Sequence, residues 1–256
     1  MATKKIVLLA GDVFSTNVVF NALNESIGID TVIVEEPIGR KTFIKKRIKK
    51  LGFIKVAGQI LFQVGVVPVL AAFSKKRKAT LQVQYQLNST APPSSILKKV
   101  SSVNSDETLQ LLQQLNPDLV VVNGTRIISK KILSGVPCQF INAHAGITPK
   151  YRGVHGTYWA LANDDAANSG VTVHLVDTGI DTGAILYQAS VTVSKEDNFT
   201  TYPLLQLAAR IPLLIKASKD VLENNLQPIA GTKESRLWHH PTIWQYFYYR
   251  LVKKVK

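Results

Sequence analysis

Between Phe140 and Gln188 the chain carries Asn142, His144, His174 and Asp181. An amide, two imidazoles and a carboxylate are what acyl transfer needs: a donor for a developing oxyanion, a general acid/base and a group to orient it. Asn142 and His144 are two apart, so on an extended backbone both side chains project to one face. Val171 to Val176 alternates as a second strand in which Thr172 and His174 share a face. Asp177-Thr178-Gly179 then turns the chain and brings Asp181 into a glycine-bounded loop, from which its carboxylate could reach back to an imidazole. Taken singly, each residue reads as a satisfied polar group at a strand end or as a turn former. Their combination points to a site.

The elements that must position these groups alternate between strand and helix. Ile6 to Ala10 is an apolar strand, and Ser15 to Asn24 suits a helix opened by Ser15 or Thr16. Thr31 to Val34 reads as a second strand. Asp106 to Leu115 is helical, stopped by Asn116-Pro117, and Asp118 to Asn123 is a buried strand. Ser129 to Leu133 makes a short helix, and Cys138 to Ile141 ends a strand that leads into Asn142. This order predicts an α/β fold with a mostly parallel, Rossmann-like sheet flanked by helices. In such sheets ligands gather at the carboxyl ends of the strands, where Gly11, Asn123-Gly124 and Asn142 fall.

The chain has 256 residues, 46% of them hydrophobic, enough for one large domain with a sizeable core. A single cysteine, Cys138, excludes a disulfide framework within the chain and fits a reducing compartment. It lies in an apolar strand and reads as a small core residue rather than a nucleophile. No His/Cys cluster has the spacing of a zinc site, so no metal is expected. Met1 to Lys5 leads straight into the first strand, which reads as a strand and not a secretory signal.

Asn142-Ala143-His144, then Pro149-Lys150-Tyr151-Arg152-Gly153, then Gly170-Val171-Thr172-Val173-His174, then Asp177 to Gly183 together resemble the catalytic core of the folate-dependent formyltransferases. That family includes the enzymes that formylate glycinamide ribonucleotide, methionyl-tRNA and nucleotide-linked amino sugars. The resemblance is strong from about Asn123 to Gln188, weaker from Lys5 to Val34, and fades from Gly39 to Leu97 and after Leu222. It implies 10-formyltetrahydrofolate as formyl donor and a primary amine as acceptor. It places the catalytic roles on Asn142, His144 and Asp181, with Thr172 and His174 helping to hold the Asp and an ordered water. A carboxylate beside His144 would keep that imidazole, ordinarily titrating near ~6.5, protonated at neutral pH. The resemblance also implies folate contacts at Arg126, Ile127, Ile128, Asp177 and Gly179. On the acceptor side it implies Tyr151, Arg152 and the first loop, with Gly11, Ser15, Thr16 and Asn17. That loop holds one glycine, so a phosphate nest and an ordinary capped strand-to-helix turn stand about even.

The segment from Gly39 to Lys78 departs from the small family members. Arg40, Lys41, Lys45, Lys46, Arg47, Lys49 and Lys50 form a basic run, and Lys75 to Lys78 form another. Between them Val56 to Phe73 is apolar, interrupted by Gly58, Gly65 and Pro68, which suggests two helices, one amphipathic and one mostly apolar. Residues 40–78 read either as an element resting on an anionic membrane face or as a helical hairpin packed on the sheet. The bracketing by basic runs favours the membrane.

Pro203 to Asn225 reads as a helix kinked or split at Pro212. The aromatic and basic stretch 226–256 is expected to dock on the core, as a tail outside a 1–225 catalytic domain. It could also stack a base, meet a membrane or form a homodimer contact. The net charge of +14 fits tRNA as well as a phosphate-bearing small acceptor. Too little chain follows the core motif for the extra domain of the tRNA-acting relatives, so nucleic acid ranks second. The function expected is formylation of an amino sugar on a nucleotide or lipid carrier, in polysaccharide biosynthesis. The protein would be cytoplasmic, peripheral on the inner membrane face. Methionyl-tRNA, glycinamide ribonucleotide and a non-catalytic folate- or membrane-binding relative are the alternatives.

Overall fold

The computed structural model describes residues 4–256. Its first strand, β1 (Ile6–Gly11), is buried along its whole length. That is what a continuous apolar run becomes in a parallel sheet covered on both faces. Ile6, Leu8 and Ala10 enter one core and Val7 and Leu9 the other, the period of two expected of a strand. The first connection runs through helix α1 (Phe14–Ile27) to β2 (Thr31–Glu35). The strands β3 (Leu97–Val100), β4 (Leu119–Asn123) and β5 (Gln139–His144) continue the sheet. These are followed by a two-residue strand β6 (Arg152–Gly153), then β7 (Gly170–Leu175), β8 (Ile185–Ser190) and a short β9 (Leu237–Trp238).

Seven strands form one sheet in the order β3-β2-β1-β4-β5-β7-β8, and β6 pairs with β9 in a separate ribbon. The first five are parallel, and β7 and β8 are antiparallel to their neighbours. The order reverses between β1 and β4, so the switch point lies at Gly11 and Asn123-Gly124, where the sequence expects ligands to gather.

The connection from β2 to β3 holds α2 (Arg40–Leu51), α3 (Phe53–Leu61), a π-helical turn (Phe62–Val66), α4 (Val67–Phe73) and α5 (Lys75–Gln84). Only α5 acts as a sheet crossover, with Leu81 buried in the core of β1 and β2. The stretch from Phe53 to Phe73 is one unbroken helical run. Gly58, Gly65 and Pro68 do not break it. Pro68 sits in the first turn of α4, straight after the wide π turn, which accommodates its missing N–H.

Beyond β3 come α6 (Asp106–Leu115), capped by the Ser105 hydroxyl, and α7 (Lys130–Gly135). Next are α8 (Gly156–Ala162), α9 (Tyr202–Leu222) and α10 (Ile243–Val252). Pro212 neither splits nor ends α9. Leu207, Leu214, Ala217 and Val221 all reach the core on either side of it, and this packing overrides the local breaker. The third core is aromatic, where Phe62 of the π turn meets Tyr151, Tyr158, Trp159, Phe199 and Tyr246. Phe62 is fully buried, edge-on to Phe199 at 4.8 Å between centroids and tilted against Tyr246 at 5.1 Å.

Candidate active site

The pairing of β5 with β7 assembles the site. In this antiparallel register Asn142 stands opposite His174 and His144 opposite Thr172. The Asn142 side-chain nitrogen lies 3.2 Å from His174 Nε2, and the other His174 nitrogen meets the Leu175 carbonyl at 2.7 Å. Asp181, from the loop after β7, bridges both imidazoles, 3.3 Å from His144 Nδ1 and 3.6 Å from His174 Nε2. It also accepts the Gly153 N–H at 2.9 Å. Gly153 has φ +96°, and a Cβ there would lie 2.3 Å from the Trp238 carbonyl, so only glycine delivers this donor. Asp181 itself has φ +52°, an uncommon conformation for a residue with a Cβ. Arg152 helps to hold it there by donating to the Ile180 carbonyl at 3.0 Å.

A cleft of about 380 Å³ opens over these groups. Its lining includes Asn142, His144, His174 and Asp181, with Arg126, Ile127 and Ile128 on one side and Asp177 and Gly179 on the other. Arg126 is anchored at its edge: its backbone N–H donates to Glu35 at 2.7 Å and its guanidinium pairs with the same carboxylate. Asp177 closes its own loop by accepting from the Gly179 N–H and the Thr182 hydroxyl. Thr172 lies beneath the site, where its hydroxyl donates to the Gly146 carbonyl and accepts from the Thr148 N–H and the Gln188 amide.

The acceptor-side residues expected from the sequence are not in this lining. Tyr151 is buried, its hydroxyl donating to Asp165 and its ring stacked on Trp238. Its carbonyl meets His144 Nε2 at 2.8 Å, so the residue serves the site through its backbone. Arg152 turns to the Ile180 carbonyl. Thr16 donates to the Gly11 carbonyl and, with Ser15, accepts from Asn123. Asn17 donates to the Ser89 carbonyl. These contacts describe an ordinary strand-to-helix turn.

The chain of bonds from that turn leads to Arg210, which the sequence reading overlooked. Asn123 accepts from the Arg210 guanidinium at 3.0 Å, and Arg210 also donates to the Ala143 carbonyl, between Asn142 and His144. Its Nε has no partner among the described residues. Burial lowers its pKa to about 10, and it lines the cleft. The signal was present: Arg210 interrupts the apolar stripe from Leu207 to Leu214 on α9. A lone charge on a buried helical face asks for a reason.

The charge state of His144 departs from expectation. Asp181 is in place and raises its pKa, as does the Tyr151 carbonyl, but burial is the larger influence and the net shift is downward. Burial opposes ionisation of Asp181, yet the two imidazoles and the Gly153 N–H outweigh it and its pKa falls. The resting pair is a neutral imidazole beside a carboxylate. With Nε2–H donated to Tyr151, Nδ1 is the free basic nitrogen. Cys138 is half-buried, and burial pushes its thiol up to about 11, far from a nucleophile's range.

Behind the Gly153 loop His155 Nε2 and His240 Nδ1 lie 2.9 Å apart. Burial, then His240, lowers His155 to about 3, and burial, then Arg47, lowers His240 to about 4. The unfolded chain titrates these imidazoles near ~6.5. Between that value and about 4 the unfolded state therefore binds protons that the native state refuses, and stability must fall as the pH falls through this window. Each such imidazole contributes a slope approaching about 1.4 kcal/mol per pH unit. Urea midpoints measured from pH 7.5 to 5 should decline, and His240→Gln should flatten the decline. A midpoint independent of pH over that range would contradict the burial of the pair.

The geometry defines a class: an α/β fold with Asn142, His144, His174 and Asp181 gathered at the strand ends. Within that class the chain belongs to the formyl transferase family, whose model matches residues 54–205. The methionyl-tRNA formyltransferase of Caldanaerobacter subterraneus is 35% identical over 136 residues, 52% of this chain and 43% of that one. That of Nitratiruptor sp. is 41% identical over 102 residues, 40% of this chain and 33% of that one. The matched stretch thus spans less than half of these curated relatives. Among solved structures, a 4-N formyltransferase from Francisella tularensis superposes with TM-score 0.58 at 18% identity. The match covers 93% of this chain and 77% of that one. Glycinamide ribonucleotide transformylase 1 from Symbiobacterium toebii gives 0.57 at 17% identity, covering 93% and 96%. At such identities these likenesses speak for the fold.

Proposed function

We propose that this protein transfers a formyl group from 10-formyltetrahydrofolate to a primary amine. The observation that supports it best is the convergence of Asn142, His144 and Asp181 on one cleft, with the 124–128 and 177–181 backbones forming its walls. The apolar side chains of Val122, Ile127, Ile128 and Val176 in its lining suit a flat heteroaromatic ring. The reduced folate, when bound, supplies the formyl carbon as an amide of its N10 nitrogen. Asn142 is placed to donate to the formyl oxygen as negative charge develops there. His144 Nδ1 takes the proton that the attacking amine must lose, and the resulting imidazolium is held between Asp181 and the Tyr151 carbonyl. The same proton passes to the leaving nitrogen as its bond to the formyl carbon breaks. Arg210 acts as a positioning residue, fixing the backbone at Ala143 between the two catalytic side chains.

For the acceptor we favour an amino sugar on a nucleotide or lipid carrier. Residues 226–256 carry β9, which pairs with β6, and α10, whose Tyr246 joins the aromatic core. The names of the curated relatives favour a second acceptor, methionyl-tRNA. Assay with 10-formyltetrahydrofolate against nucleotide-linked amino sugars, glycinamide ribonucleotide and aminoacylated initiator tRNA separates them. Formylation of the tRNA alone would reject the sugar.

Donor binding has its own test. Titration with 5-formyltetrahydrofolate should saturate in the micromolar to low millimolar range, and Asp181→Ala should weaken it. Failure to saturate at millimolar analogue would remove the folate from the proposal.

A further inference from the structure

The net charge of this protein is confined to one connection and the strand that ends it. Between Glu36 and Asp106 there are 14 Lys and Arg and no acidic residue, and the remaining 17 basic residues balance all 17 acidic ones. The same connection holds the helical run from Phe53 to Phe73, which by length and composition could cross a membrane. Here one of its faces is already taken. Phe62 is fully buried, Gln59 donates to the His240 carbonyl at 2.7 Å, and Gln63 meets His240 Nδ1 at 3.1 Å. Gly58 lies against Trp244, where any Cβ would fall 2.2 Å from the indole. The helix is therefore held lengthwise on the protein.

Its other face is apolar and bare. Phe53 is 70% exposed, Ile54 75% and Phe73 85%, with Leu61 and Val64 between them also exposed. Beside it α10 buries Tyr246 and turns Trp244, Phe247 and Leu251 outward. Phe53, Ile54 and Trp244 line one shallow groove with Lys55 on its rim. Apolar surface of this kind on a soluble protein marks an interaction site. The charge around it selects the partner. The exposed Lys45, Lys46, Lys49 and Lys50 of α2 precede the helix, and Lys75 and Lys76 follow it. A second copy would bring two acid-free basic surfaces together and be repelled, and a nucleic acid, whose bases could stack on the aromatic rings, offers no apolar phase for the exposed aliphatic Ile54, Leu61 and Val64.

We infer that the outer faces of the Phe53–Phe73 helix and α10 form a two-helix platform that seats this protein in the headgroup layer of an anionic bilayer. The aromatic and aliphatic side chains enter the acyl boundary, and the lysines meet the lipid phosphates. The inference does not depend on which amine is formylated.

The test uses the full chain and vesicles of phosphatidylcholine with or without phosphatidylglycerol. Flotation should require the anionic lipid, weaken steeply with salt, and shift the tryptophan emission to the blue. Replacing Lys45, Lys46, Lys49 and Lys50 with Gln should lower partitioning on the order of 10³-fold. Phe53→Ser with Ile54→Ser and Phe73→Ser keeps every charge and, at exposed positions, leaves the fold intact, yet should also abolish flotation. Equal flotation on neutral lipid, none on either, or full flotation of the serine variant overturns the inference. So does sedimentation showing a dimer that the serine variant dissolves.

Discussion

His144→Ala is expected to lower kcat/KM for formyl transfer on the order of 10³-fold, with 5-formyltetrahydrofolate still bound. The imidazole touches Asp181 and shares its strand face with Asn142, and a positioned general base contributes typically about 10²–10⁴. Asn142→Ala removes one oxyanion donor and should cost about 10²–10³. The two groups act on a single charge-separated arrangement, so the double variant should lose far less than the product of the single losses. A His144→Ala protein that retains circular dichroism, folate-analogue binding and transfer within tenfold of the starting rate would reject the mechanism. Stopped assays with the preferred acceptor give the number directly.

Phe62→Ala should destabilise the protein by about 3–5 kcal/mol, the range for truncating a fully buried aromatic. The ring is the anchor of the whole β2–β3 insertion, edge-on to Phe199 and tilted on Tyr246. The loss should appear as a lower urea midpoint and as faster tryptic cleavage in α2, whose lysines and arginines then fray from the core. Phe53→Ala, nine residues earlier on the bare face, should move the midpoint by no more than about 0.5 kcal/mol. Equal effects of the two substitutions would show that the helix is not held by its π turn.

Much of the geometry of the candidate site was legible because a strand has period two. Asn142 and His144 had to share a face, and the alternation after Val171 placed His174 and Thr172 on the face that meets them. Strands β1, β2 and β4 announce themselves as short apolar runs with both faces buried. Other elements carry no such mark. Strand β3 reads Leu-Lys-Lys-Val, with both lysines exposed at the sheet edge, and its polarity hides it. The contact of Tyr151 with His144 could not be read from the sequence because it is made by a carbonyl oxygen, which every residue type possesses. The protonation of His144 turned on a contest between burial and a carboxylate, and spacing along the chain says nothing of depth. Helix α9 survives Pro212 through contacts made by residues far from it in sequence.

The contact between Gln59 and His240 joins residues 181 apart in the chain. Synthesis proceeds at ~5–20 residues per second, so the apolar helix leaves the ribosome roughly 10–40 s before α10 exists to cover its inner face. During that interval Phe62 and its neighbours are as bare as Phe53 and Phe73, and the growing chain carries a hydrophobic helix uncovered on every side. Such a nascent chain must be shielded by a chaperone or adsorbed to a surface until its last thirty residues arrive. The order in which the polypeptide is made thus gives the lysine-flanked helix its longest exposure before the catalytic fold is complete.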